Sequence, residues 1–196
     1  MPLPSSRFVP ALVLSLCIAA AACGRAPEAN TTDISGVMPP LAFSMVRAND
    51  GVPVHAASYR GKIVLLYFGY TNCPDACPTT LANIAVALKH LGPGADNVRV
   101  LFVTVDPARD TLSVLKKYVN AFAPQIDGLR GDDNAIAALA RRYRVLYSVT
   151  PAAPGRAYDV MHSDSLFFFD PSGRARLVTL STRDSAALAA EIKSVG

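Results

Sequence analysis

Ile63-Val64-Leu65-Leu66-Tyr67-Phe68 is an unbroken apolar run, and it leads into Gly69-Tyr70-Thr71-Asn72-Cys73-Pro74-Asp75-Ala76-Cys77-Pro78. A segment apolar at every position has no side suited to water, so it reads as a central strand covered on both faces, as in α/β folds. Pro78 lacks an N–H and suits the first turn of a helix. The two cysteines therefore fall where a buried strand becomes a helix. Two thiols at this spacing can close a disulfide or clamp one soft metal ion. Unpaired N–H groups at a helix start favour a thiolate, which predicts a lowered thiol pKa. As a staple the pair is weak, because so short a loop gains about 2 kcal/mol against about 4.7 for a hundred-residue loop. The spacing points to chemistry over scaffolding.

The remaining pattern supplies the rest of an α/β domain. Leu41–Val46 and Val52–Val54 flank Asn49-Asp50-Gly51, a tight-turn signal, and predict a hairpin. Leu81, Ile84, Leu88 and Leu91 repeat on one helical face until Gly92-Pro93-Gly94. Val98–Val105 predicts a second buried strand. Asp106-Pro107-Ala108-Arg109-Asp110-Thr111 then turns into a helix bearing Leu112, Leu115, Val119 and Phe122, which Pro124 stops. Asp132 or Asp133 caps a further helix through Ile136, Leu139 and Tyr143, and Ser148–Arg156 reads as a surface loop. Ser165–Phe169 and Ala175–Leu180 predict a second hairpin, followed by a helix over Asp184–Lys193. The order β-β-β-α-β-α-α-β-β-α is that of a thioredoxin-like fold with an N-terminal β-hairpin and a helical insertion.

The first residues read as an address. Arg7 precedes the apolar segment Phe8–Ala22, which contains Pro10 and is short for a membrane span of about 20 residues. Ala20-Ala21-Ala22-Cys23-Gly24 resembles a bacterial lipoprotein signal, which implies lipidation of Cys23; simple cleavage or an uncleaved anchor are the alternatives. The expected division is a signal peptide over 1–22, a lipidated cysteine and polar tether over 23–37, and one domain over 38–196. Of the 4 cysteines, Cys17 is lost with the signal and Cys23 is taken by lipid, leaving Cys73 and Cys77. Export to the periplasmic side of a bacterial membrane places that pair in an oxidising compartment, where a dithiol needs a reductant or a metal to stay reduced. The formal charge of +4 becomes +3 once Arg7 is removed, and it is spread without a basic run. Nucleic acid is not indicated as a partner.

A third candidate ligand is His162, in Tyr158-Asp159-Val160-Met161-His162-Ser163-Asp164-Ser165. In a thioredoxin-like sheet the strand after it lies beside the strand leading to Cys73, so the imidazole can face both thiols. Two thiolates and an imidazole form a soft set suited to Cu(I), to Cu(II) with an added oxygen donor, or to Zn²⁺. A structural zinc site normally has four protein ligands, so exchangeable copper is the better match. Met161 should point away from the ligand side and pack in the core. Asp75 is a turn residue or a charge near the thiols. Asp106 and Arg109 are candidates to line the site, because their strand should neighbour the redox strand. His55 and His90 read as structural.

Three blocks carry a family resemblance: Tyr67-Phe-Gly-Tyr-Thr-Asn-Cys73-Pro-Asp-Ala-Cys77-Pro-Thr79, Val103-Thr-Val-Asp106-Pro-Ala-Arg109-Asp110-Thr111 and Tyr158-Asp-Val-Met-His162-Ser163. Together they resemble the signatures of the Sco/SenC family, from about Leu41 to the C-terminus. The resemblance implies a membrane-anchored, thioredoxin-fold copper protein that serves assembly of the binuclear copper centre in cytochrome c oxidase subunit two. It implies Cys73, Cys77 and His162 as metal ligands. Met161 stands where the family often has aspartate, and Ala108 and Leu112 replace a common glutamate and proline. The expected function is a copper metallochaperone rather than an enzyme. Its partners would be subunit two or another copper acceptor, other periplasmic copper or thiol-redox proteins, and the membrane through a lipid anchor. A thiol-disulfide reductase that keeps acceptor cysteines reduced, and a copper or redox sensor, are the alternatives.

Overall fold

The sheet is organised around the apolar run that opens the cysteine motif. The computed structural model describes residues 31–196, so the signal segment, Cys17 and Cys23 lie outside the described residues. Strand β4 (Ile63–Gly69) is buried at every position. It pairs in parallel with β5 (Val98–Thr104), in a register running from Ile63↔Val98 to Gly69↔Thr104. β6 (Ile126–Arg130) continues the parallel set beyond β5. The hairpin of β2 (Ser44–Arg47) and β3 (Pro53–His55) is antiparallel to it, through Val46↔Arg130. On the other side of β4 lies antiparallel β9 (Leu166–Phe169), followed by β10 (Ala175–Thr179) and the edge strand β1 (Thr31–Asp33). The strand order is β1-β10-β9-β4-β5-β6-β2-β3. The helices are α1 (Ala76–Leu91), α2 (Leu112–Asn120), α3 (Asp133–Arg142) and α4 (Ser185–Val195). This is the expected thioredoxin-like α/β architecture, with its N-terminal hairpin on the sheet.

Side-chain parity assigns the two layers. Tyr67, Phe102 and Gly128 are register partners on one face, where α2 and α1 pack: Tyr118 of α2 meets the Phe102 ring at 5.6 Å. The opposite face carries Phe167 and Phe169, whose rings meet Tyr143 at the end of α3 at 5.6 and 5.4 Å. Thr111 caps α2, Asp132 caps α3 and Asp184 caps α4, each accepting a first-turn N–H.

Four local readings change. β6 is absent from the pattern read off the sequence because Asp127 and Gly128 interrupt its apolar character. Both fit for tertiary reasons: Tyr59 donates to Asp127 at 2.9 Å, and a Cβ on Gly128 would stand 2.7 Å from Leu115 Cγ. The expected tether through residue 37 is shorter in the fold, since Thr31–Asp33 pairs with β10 and Ile34 is buried. Ser148–Arg156 is not wholly loop, because β7 (Tyr147–Thr150) pairs with β8 (Asp159–His162) in a separate two-stranded sheet. The first hairpin begins at Ser44 rather than Leu41. No helix among the described residues is long and apolar enough to cross a membrane.

Candidate metal centre

The C-terminal end of β4 presents the two thiols from opposite sides of a helix start. Cys77 lies in the first turn of α1 and is fully buried, whereas Cys73 precedes the helix and is half-buried. Asp75 holds the N-cap position of α1 without a side-chain cap bond. A first-turn donor goes to sulfur instead: the Cys77 N–H donates to Cys73 Sγ at 3.3 Å. The helix end therefore supports Cys73, while Cys77 has its own sulfur in the core. Burial pushes the Cys77 thiol well above its ordinary value, so at this position desolvation outweighs the lowering expected from the helix terminus. Both cysteines are free thiols.

Gly69 makes room for this packing. A Cβ there would lie 2.6 Å from Phe102 Cε2 and 2.8 Å from Cys77 Sγ, both impossible contacts. Asp110 secures the loop that carries Cys73. It is fully buried and accepts from the Thr71 N–H at 3.0 Å, the Thr71 hydroxyl at 2.5 Å and the Thr104 hydroxyl at 2.6 Å. Arg130 in turn donates to the carbonyls of Asp110 and Pro107, at 3.1 and 2.9 Å. In the sequence Asp110 reads only as part of the turn into α2, whose cap is Thr111.

His162 arrives from β8, and its Nε2 lies 3.2 Å from Cys77 Sγ. Its Nδ1 lies 3.2 Å from the Ser163 carbonyl oxygen. A carbonyl can only accept, so Nδ1 carries the proton and Nε2 turns its lone pair to the sulfurs. The donor atoms of Cys73, Cys77 and His162 all lie within 4.8 Å of one another. The imidazole is nearly enclosed, with 4% of its side-chain surface exposed. The Tyr67 and Tyr70 rings stand nearly perpendicular to it, with centroids 6.1 and 5.8 Å away. Tyr67 also donates to Asp164 at 3.3 Å, and burial with Cys77 nearby pushes its hydroxyl pKa up.

The other candidates divide. Asp106 is buried, pairs with Arg109, and accepts from the Tyr158 hydroxyl at 2.6 Å. The Arg109 guanidinium lies 3.8 Å over the Tyr158 ring and 5.7 Å from the Tyr70 centroid. This pair thus flanks the site without belonging to the donor cluster. Asp75 is exposed and accepts from Thr79 at 3.4 Å, also outside the cluster. Met161 does point away from the ligand side, but into solvent with 63% exposure rather than into the core. His55 ends the edge strand β3 and His90 lies in the last turn of α1, both exposed. Gly69, Asp110, Tyr67, Tyr70 and Tyr158 carry no signal of their own beyond their membership of the three sequence blocks. Their roles appear only when the blocks converge.

Two sulfurs and one neutral imidazole nitrogen at this separation suit a soft ion in low coordination. Binding must displace the Cys77 proton, which couples affinity to pH. Cys73 is the more exposed of the two cysteines and so the one an exchanging thiol reaches first.

Comparison with known proteins agrees with this geometry. The SCO1/SenC family model matches residues 40–195. The mitochondrial SCO2 homolog of Bos taurus is 43% identical over 60% of this chain and 45% of its own length. The chain thus spans less than half of that relative. Bradyrhizobium japonicum ScoI, solved with copper bound, is 35% identical with a TM-score of 0.71, covering 80% of this chain and 99% of that one. Yeast Sco1 with copper bound is 32% identical with a TM-score of 0.71, over 80% of this chain and 88% of that one. The order of the three sequence blocks, the thioredoxin-like sheet and the match from residue 40 to 195 make this chain a member of the SCO1/SenC family.

Proposed function

We propose that this chain is a membrane-tethered copper metallochaperone that delivers copper to, or matures, the binuclear copper centre of cytochrome c oxidase subunit two. The observation that carries the proposal is the convergence of Cys73, Cys77 and His162, from segments 85 residues apart, within 4.8 Å. The copper-bound relatives support the choice of ion. Copper is cargo here. Cys73 and Cys77 supply thiolates, His162 adds Nε2, and the Ser163 carbonyl holds the tautomer that leaves that nitrogen free. Lipidation at Cys23 would keep the domain at the periplasmic side of a bacterial membrane, within reach of a membrane-bound acceptor.

The experiment is a Cu(I) competition titration of the reduced protein and of His162→Ala. The expected result is one ion per chain and at least about 10-fold weaker binding in the variant. Equal affinity would remove His162 from the site. In cells, Cys73→Ser should abolish both copper binding and acceptor assembly; loss of binding with normal assembly would sink delivery.

A second reading draws on the unequal burial of the thiols. The half-exposed Cys73 can attack an acceptor disulfide as a thiolate, giving a mixed disulfide and a released acceptor thiol. Cys77 then displaces the second acceptor thiol and closes Cys73–Cys77, transferring two electrons. Reduction of an acceptor-derived disulfide peptide at a rate unaffected by His162→Ala would favour it.

A further inference from the structure

His162 is carried by an arm that the main sheet does not hold. Among the described residues its strand β8 pairs only with β7, through Tyr147↔His162, Ser148↔Met161, Val149↔Val160 and Thr150↔Asp159. A two-stranded hairpin is marginally stable by itself, so side chains must fix this one to the body. Val160 is buried and supplies apolar contact. The Tyr67 hydroxyl reaches Asp164 at 3.3 Å, a long bond to a half-exposed carboxylate. A shorter hydrogen bond lies at the other end of β8. There the Tyr158 hydroxyl donates at 2.6 Å to Asp106, a carboxylate only 1% exposed.

We infer that Tyr158 is a positioning residue for His162, and that Tyr158, Asp106 and Arg109 form a clamp holding the β7–β8 arm over the two sulfurs. The clamp's effect on copper, though not the clamp itself, rests on the copper-binding role proposed above. Three contacts argue for it. Asp106 follows β5 in the rigid body and cannot be left unpaired, because a buried carboxylate needs its donors. Arg109 supplies the charge and covers the Tyr158 ring at 3.8 Å, a stacked contact that a point charge on lysine would not reproduce. The same guanidinium faces Tyr70 at 5.7 Å, and the Tyr70 ring stands perpendicular to the His162 ring at 5.8 Å. Tyr70 also accepts the Cys73 N–H through its carbonyl. One cation therefore touches both the arm bearing the imidazole and the turn bearing the outer thiol. Release of the clamp leaves two sulfurs in place and frees the nitrogen, which converts a three-donor site into a two-donor site suited to handing the ion on.

The test is Tyr158→Phe, which keeps the ring under Arg109 and removes only the hydroxyl. Affinity for Cu(I) is measured in the wild type, Tyr158→Phe, His162→Ala and the double variant, all as reduced full chains. Loss of a partner behind a metal ligand typically weakens binding 10–100-fold, so about a 10-fold loss is expected in the wild-type background and none in the His162→Ala background. Equal losses in both backgrounds, or no loss in the first, overturn the proposal. Amide hydrogen exchange on the metal-free chain gives a second readout, expected to be faster in β7 and β8 and unchanged in β4 and β5. Unchanged exchange in the arm overturns the clamp whether or not copper binds. A wild type that takes no copper defeats the function proposed above, and exchange then decides the clamp alone.

Discussion

The turn that carries Cys73 and Cys77 and the arm that carries His162 meet at one point but are built by different means. The first is an outgrowth of the central strand: β4 is buried throughout, Gly69 accommodates the Cys77 sulfur, and Asp110 ties Thr71 to the end of β5. The second is a two-stranded appendage attached through side chains. The sulfurs are thus placed by the same packing that stabilises the domain, whereas the imidazole is placed by side-chain contacts between the arm and that domain. For the copper carrier proposed above, the division sets a pair of donors in the frame of the sheet apart from a third on the arm.

That contrast can be broken or sharpened in four ways. Asp110→Ala should have the largest effect. It strips three donors, two of them on the turn, of a charged acceptor, and hydrogen bonds to charged groups contribute about 1.5–3 kcal/mol each. Non-additivity brings the expected loss to about 3 kcal/mol or more, read as a shift in denaturant midpoint, with copper affinity falling too. A mild effect would mean the cysteine turn is no better anchored than the arm.

Gly69→Ala comes next. Its methyl group meets Phe102 and Cys77 Sγ, and overpacking of this kind costs about 1–3 kcal/mol. Copper affinity should drop alongside stability, because the displaced atom is a ligand. Stability loss with unchanged affinity would separate the sulfur from the frame.

The third test is pH. Burial raises the Cys77 thiol above its ordinary 9.0, so the unfolded chain releases this proton first. Its contribution to stability is full below that ordinary value and is lost as pH climbs from about 9 toward the folded value. For one proton the slope is at most about 1.4 kcal/mol per pH unit. Denaturation of the reduced, metal-free protein between pH 8 and 10 should show the decline, and Cys77→Ser should flatten it. Proton displacement also makes copper affinity rise with pH over the neutral range.

Met161→Ala should do least. Its side chain faces solvent one residue from His162, so stability should change by no more than about 0.5 kcal/mol and copper affinity not at all. A marked loss of affinity would give the site a fourth donor, the second on the arm.

Local chemistry explains what was legible in the chain. β4 and β5 announce themselves because apolarity at every position has one good structural use, and α1 because its apolar residues recur on one face. β6 is hidden because Gly128 and Asp127 answer to Leu115 and Tyr59, which are distant in sequence. β7 is hidden because prolines and Gly155 mark the neighbouring loop more loudly than Tyr147–Thr150 marks a strand. The core assignment of Met161 rests on a correct alternation and a wrong surrounding: the far side of β8 is open, since no further strand or helix among the described residues covers it.

Residue type and order alone determined the α/β class, the strand-to-helix placement of the thiols and the identity of the three candidate donors, because these depend on periodicity, turn chemistry and ligand softness. The tertiary structure decided which thiol is buried, which receives the helix N–H, and which imidazole nitrogen faces the sulfurs. It also decided that Asp110 and Gly69 hold the turn while Tyr158, Asp106 and Arg109 hold the arm. Those outcomes depend on distances between segments that share no local pattern, and burial and hydrogen bonding act through such distances.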